Sequence, residues 1–90
     1  MFHKKHILII DDDEKLRKLL KSFLFEKGYL VDTSENTNSA KIKMSSILYD
    51  LIILDVMLPE ESGISFAEKN RNIINIPILM LSAMSDVEDR

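Results

Sequence analysis

Two uninterrupted apolar runs dominate the hydrophobic pattern of the chain, Ile7-Leu8-Ile9-Ile10 and Leu51-Ile52-Ile53-Leu54, and each stops at an aspartate. A run of this kind, with no polar alternation, suits a strand buried on both faces, and such strands belong to parallel sheets covered by helices. Between them Leu16, Leu19, Leu20, Phe23 and Leu24 recur at i, i+3, i+4, i+7 and i+8, which predicts an amphipathic helix with one apolar stripe. Asp12 or Asp13 can cap its start, Glu14 favours the positive end of its dipole, and Gly28 stands where a left-handed C-terminal cap is wanted. Phe25 falls off the stripe and is expected at the surface.

The rest of the chain continues the alternation. Tyr29 to Thr33 reads as a short second strand and Ser34 to Asn38 as a polar loop rich in capping residues. Ala40, Met44, Ile47 and Leu48 give a second helix its face, diluted by Ser39, Ser45, Ser46 and the off-face Ile42. The third strand, Leu51 to Leu54, leads into a turn-rich loop from Met57 through Pro59 to Gly63. Ile64, Phe66, Ala67, Ile73 and Ile74 outline a third helix, and Ile76 to Leu81 a fourth strand with Pro77 near its start. Ser82 closes that strand, and Ala83 to Arg90 reads as the opening of another helix capped by Ser85. The order β-α-β-α-β-α-β with right-handed crossovers predicts an α/β fold, an open, doubly wound parallel sheet with helices on both faces.

Ninety residues make one domain with a modest core. Apolar residues at 46% and charged ones at 30% read as soluble and globular, and a formal charge of −3 makes no electrostatic case for nucleic-acid or membrane binding. Cysteine is absent, so disulfide and thiolate chemistry are excluded, and a cytoplasmic location is the expectation. The charged start Met1 to His6 is followed by an apolar run that ends after four residues, too short for a secretory h-region or a membrane span.

Candidate chemistry lies at the strand exits. Asp11-Asp12-Asp13 follows the first strand and Asp55 the third, and if these strands are neighbours their carboxylates converge where open α/β sheets hold their ligands. Crowded carboxylates repel, and relief comes from shifted pKa values or a hard cation. An all-oxygen ligand set favours Mg²⁺ over zinc. The competing reading of Asp11 to Asp13 is plain helix capping, and Asp13 is assigned to it. His3 and His6 lack a third nitrogen or sulfur ligand and are expected at the surface or an edge. Taken alone, Ser82 reads as a strand-end hydroxyl bonded to backbone.

The run Ile7 to Asp13, the segment Asp50-Leu51-Ile52-Ile53-Leu54-Asp55-Val56-Met57-Leu58-Pro59, the later Gly63, and Ile76-Pro77-Ile78-Leu79-Met80-Leu81-Ser82-Ala83 together resemble the receiver domain of bacterial two-component response regulators. The resemblance spans residues 1–90 and implies a flavodoxin-like receiver fold that stops before the fifth strand and last helix of a domain of about 120 residues. It implies that Asp55 is the phosphoacceptor for a sensor histidine kinase, by aspartyl-phosphate chemistry. It makes Asp12 the direct Mg²⁺ ligand, Asp11 a ligand through water, and the backbone carbonyl of Met57 part of the metal shell. Ser82 matches the switch hydroxyl that bonds the phosphoryl oxygen. The partners implied are the kinase and an output domain in the parent chain, of transcriptional type, with self-phosphorylation and self-dephosphorylation as the most enzymatic chemistry expected.

Departures accompany the match. The family's lysine after the fifth strand, with its proline, lies past Arg90, Asn70 stands at an apolar core position of the third helix, and Ser62 replaces a frequent acidic residue. Two alternatives stay open: a pseudo-receiver that only binds proteins, and a Mg²⁺-dependent phosphohydrolase with an aspartyl nucleophile, against which Met57 replaces the expected second aspartate. An apolar fourth strand without a fifth beside it is an open edge, so self-association through Ile78 to Leu81 is expected.

Overall fold

The computed structural model describes residues 4–81. Its elements are β1 (His6–Ile10), α1 (Glu14–Glu26), β2 (Leu30–Ser34), α2 (Thr37–Ser46), β3 (Leu51–Asp55), α3 (Gly63–Lys69) and β4 (Ile78–Leu81). All strand pairs are parallel, in the order β2-β1-β3-β4. The predicted helix opening at Ala83 to Arg90, Ser82 and His3 lie outside the described residues.

The uninterrupted apolar runs have a physical cause in this architecture. Leu8, Ile10, Ile52 and Leu54 point to one face, where Ala40, Met44, Phe66 and Ala67 from α2 and α3 pack on them. Ile7, Ile9 and Ile53 point to the other, against Leu20 and Leu24 of α1. Because successive side chains of a strand alternate faces and both faces are covered, every position must be apolar. Burial of each such side chain stabilises the fold by roughly 1.5–3 kcal/mol.

Local signals at the helix ends act as read. The Asp13 side chain accepts from the Leu16 amide and Glu14 lies in the first turn of α1, and Gly28 takes φ 100° just past its end. Asn36 and Ser62 cap α2 and α3 in the same way.

Four expectations need correction. The stripe of α1 is only half covered among the described residues: Leu20 and Leu24 pack on the sheet while Leu19 and Phe23 are 66% and 54% exposed. The α2 face ends early, since the helix stops at Ser46 and Leu48 is 93% exposed. The α3 helix stops at Lys69, so Ile73 and Ile74 belong to the turn that follows it, Ile73 exposed and Ile74 packed on the core. Asn70, buried, is the reason: its side-chain amide donates to the Phe66 carbonyl at 2.8 Å while its own carbonyl accepts from the Ile73 and Ile74 amides. A buried polar group with its bonds made is tolerated where an apolar one would continue the helix. Finally, β2 is shifted by one residue, to Leu30–Ser34, β3 runs one residue further, to Asp55, and β4 begins only at Ile78.

Candidate functional site: an acidic pocket at the carboxyl ends of β1 and β3

Pairing of β1 with β3 sets Ile10 beside Leu54, so the residues that follow, Asp11 and Asp55, leave the sheet side by side. Asp11, Asp12 and Asp55 each offer a carboxylate oxygen within 4.8 Å of the others. Asp11 and Asp55 are buried, at 2% and 9% exposure, and Asp12 is exposed, so the cluster meets solvent at Asp12. Asp13 is not part of it and stays with its cap.

The backbone holds each acid in place. Asp11 donates its amide to the Ser34 carbonyl at 3.0 Å, its carbonyl accepts from the Arg17 guanidinium at 2.8 Å, and its Oδ1 accepts from the Asp13 amide. Asp55 Oδ1 accepts from the Met57 amide at 2.9 Å. Among the described residues Asp55 Oδ2 has no hydrogen-bond donor. Gly63 closes the floor. A Cβ there would lie 2.3 Å from the Asp55 carbonyl oxygen, so only glycine lets the start of α3 approach this closely.

Burial pushes the Asp11 carboxyl above its ordinary range. The bond from the Asp13 amide works against this, and the charges of Asp55, Asp12 and Asp13 add to it. A carboxyl that binds its proton more tightly in the folded chain than in the unfolded one loses stability as pH rises from the ordinary aspartate range through the folded value. The penalty grows as pH rises through that folded value, and a cation among the three carboxylates would relieve it. The oxygen-only donor set of these three carboxylates fits a hard cation such as Mg²⁺.

Beside the cluster lies a cavity of about 310 Å³ between the loop after β2 and the loop after β3, bordered by Asp12, Thr37, Leu58 and Glu61. Across it Glu61 accepts a hydrogen bond from the Thr37 hydroxyl at 3.2 Å and pairs with Lys69 at 3.2 Å. The ammonium of Lys69 is the main cause that holds the Glu61 carboxyl below its usual range. Neither contact has a sequence signal, because the Thr37 and Glu61 bond joins the start of α2 to the loop after β3, with no periodic relation between them.

The remaining candidates fall elsewhere. Ser82 is outside the described residues. His6 begins β1, at the opposite end of the strand from Asp11, where its Nε2 lies 3.0 Å from Asp32 and its ring meets Tyr49 edge-on at 4.7 Å. The Tyr49 hydroxyl donates to the same Asp32 oxygen at 2.7 Å, and burial first, then that bond, push its pKa up. This polar network tying β1, β2 and the entry to β3 was not legible in the sequence.

Comparisons with known proteins agree with this geometry. The response regulator receiver domain family matches residues 7–90. Protein PetR of Rhodobacter capsulatus is 40% identical over 85 residues, covering 94% of this chain and 36% of that protein. The transcriptional regulatory protein ResD of Bacillus subtilis is 37% identical over 84 residues, with 93% and 35% covered. The chain thus spans about a third of the length of the curated relatives it matches, 34% to 38%. Among solved structures, response regulator TrrA from Thermotoga maritima, in complex with Mg²⁺-BeF, superposes with a TM-score of 0.81 at 41% identity, covering 93% of this chain and 74% of that one. A structure of histidine kinase ThkA in complex with TrrA matches with a TM-score of 0.82 at 40% identity over 96% of this chain and 75% of that one. No helix among the described residues is long and apolar enough to cross a membrane.

Proposed function

This chain belongs to the response regulator receiver domain family, and we propose that it is the phosphoacceptor module of a two-component regulator, taking a phosphoryl group from a sensor histidine kinase onto Asp55. The observation that carries this reading is the meeting of Asp11, Asp12 and Asp55 within 4.8 Å, with one Asp55 oxygen held by the Met57 amide and the other unbonded among the described residues. In the transfer, Asp55 Oδ2 forms a bond to phosphorus as the bond from phosphorus to the kinase imidazole nitrogen breaks, and that nitrogen keeps the electron pair. The Met57 amide orients the carboxylate for this attack.

Asp11, Asp12, Asp55 and the carbonyl of Met57 would hold Mg²⁺, which when bound neutralises charge on the transferred phosphoryl oxygens. Support for the cation comes from the oxygen-only donor set and from the crowding of Asp11, whose carboxyl is raised first by burial and then by the charges of Asp55, Asp12 and Asp13. The kinase as donor is supported by the matched complex of ThkA with TrrA, and an output domain of transcriptional type in the parent chain by relatives named as transcriptional regulators. The cytoplasm is where such a kinase would present its phosphohistidine.

Mg²⁺ is expected to raise the melting temperature at near-neutral pH. At ten times its dissociation constant the gain is about 1.4 kcal/mol by mass action. Asp12→Asn should abolish the gain. Asp11→Asn should raise the metal-free melting temperature at pH above the folded value of Asp11, because it removes a buried carboxylate crowded by Asp55 and Asp12, and the rise should shrink on acidification toward the ordinary aspartate range. Thermal melts with and without Mg²⁺ decide, and equal melting temperatures for the unsubstituted chain would remove the metal site.

Pairing of two copies through β4 belongs to the same proposal, supported by the exposure of Leu79 and Met80 on the strand that is outermost among the described residues. Sedimentation equilibrium should give a dimer at micromolar concentration, and a cooperatively melting monomer would refute it.

A further inference from the structure

The loop between β3 and α3 carries Met57, and its two ends are fixed by backbone. The Met57 amide binds Asp55 Oδ1, the Val56 amide binds the Leu81 carbonyl at 2.9 Å, and the Gly63 amide binds the Val56 carbonyl at 2.9 Å. Between these points Leu58 is buried while Pro59 and Glu60 are exposed, so the side chain of Glu61 is what ties the far half of the loop across the cavity. Its partner Thr37 is buried at the first position of α2, whereas Lys69 is exposed. The buried hydroxyl is therefore the partner fixed in position by the fold, while the exposed ammonium, though the stronger electrostatic partner, is held by a mobile-ended side chain in solvent.

We infer that Glu61 is a positioning residue for the cation site: its bond to Thr37 spans the cavity beside Asp12 and holds the loop so that the Met57 carbonyl stays available to the acidic cluster. This rests on the reading of Asp11, Asp12 and Asp55 as a divalent-cation site. Partners that orient a ligand without touching the metal commonly change affinity strongly when removed. A carboxylate that served only local solubility would have no such effect.

The test is Mg²⁺ titration of the chain by calorimetry, with the backbone amide resonance of Met57 followed by NMR before and after Mg²⁺. Glu61→Ala and Thr37→Val should each weaken Mg²⁺ binding roughly tenfold, shift the Met57 amide in the metal-free chain, and leave the metal-free melting temperature near that of the unsubstituted chain. Glu61→Gln keeps an oxygen for the Thr37 hydroxyl and should restore most of the affinity. The double variant should bind no more weakly than either single one, because both remove the same bond. Unchanged Mg²⁺ affinity in Glu61→Ala and Thr37→Val, beside normal binding by the unsubstituted chain, would overturn the role of Glu61 alone. No Mg²⁺ binding by the unsubstituted chain would overturn the cation site and this role together.

Discussion

Asp55→Asn is expected to leave the chain folded and to abolish its phosphorylation. A small acyl phosphate with Mg²⁺ should add one phosphoryl group to the unsubstituted chain, stable in acid and labile in base, and none to the variant. On the proposed assignment the Asp55 carboxylate oxygen is the nucleophile, and an amide in its place offers neither the charge nor the basicity to attack phosphorus. The substitution keeps size and an oxygen for the Met57 amide, so the loop after β3 should stay where it is. Intact-mass spectrometry measures the addition and peptide mapping places it. Label that persists in Asp55→Asn, or maps to Asp11 or Asp12, would refute the assignment. Asp55 is singled out from its neighbours by its surroundings. Asp11 is the more deeply buried, at 2% against 9% exposure, and sits at the floor of the cluster with its backbone held by Ser34 and Arg17. Asp12 is exposed and borders the cavity.

Gly63→Ala is expected to destabilise the chain by about 3 kcal/mol, the upper end of the usual cost of overpacking. The added methyl would meet the Asp55 carbonyl oxygen at 2.3 Å, the Asp55 carbonyl carbon at 3.0 Å and Leu54 Cγ at 3.1 Å. Two of these three are backbone of the buried strand β3, which cannot yield as the end of a flexible side chain would. Either α3 lifts from the sheet, loosening Phe66 from the core, or the exit of β3 moves and carries Asp55 with it. Stability of a domain this small is of order 5–15 kcal/mol in total, so the loss should appear as a clear fall in the denaturation midpoint. The folded fraction should also phosphorylate more slowly, because the acceptor is displaced. Gly28→Ala is the control: nothing lies within 4 Å of its would-be Cβ, and the cost there is only that of φ +100°. Equal midpoints for Gly63→Ala and the unsubstituted chain would show that the start of α3 can move away freely.

Much of the fold was legible because its signals are local. The runs at Ile7 to Ile10 and Leu51 to Leu54 had to be strands covered on both faces, the aspartates after them had to lie at strand exits, and Asp13 and Gly28 mark the two ends of α1 through backbone preferences that need no partner. Tertiary structure alone decided what depends on distant neighbours. The period of α1 names a stripe, but which half of it is covered is set by what packs there, so Leu20 and Leu24 are covered while Leu19 and Phe23 are not. The end of α3 was misread because Asn70 satisfies its own polar atoms on Phe66, Ile73 and Ile74, and no pattern of hydrophobicity records that. Thr37 and Glu61, or His6, Asp32 and Tyr49, meet because the strand order β2-β1-β3-β4 brings separate helix starts, loops and strand ends together. The acidic site stands between these cases: the sequence by itself placed Asp11, Asp12 and Asp55 at the ends of strands, and only the pairing of β1 with β3 turned separated carboxylates into one cluster, since mutual repulsion and the call for a cation arise from distance in space and not along the chain.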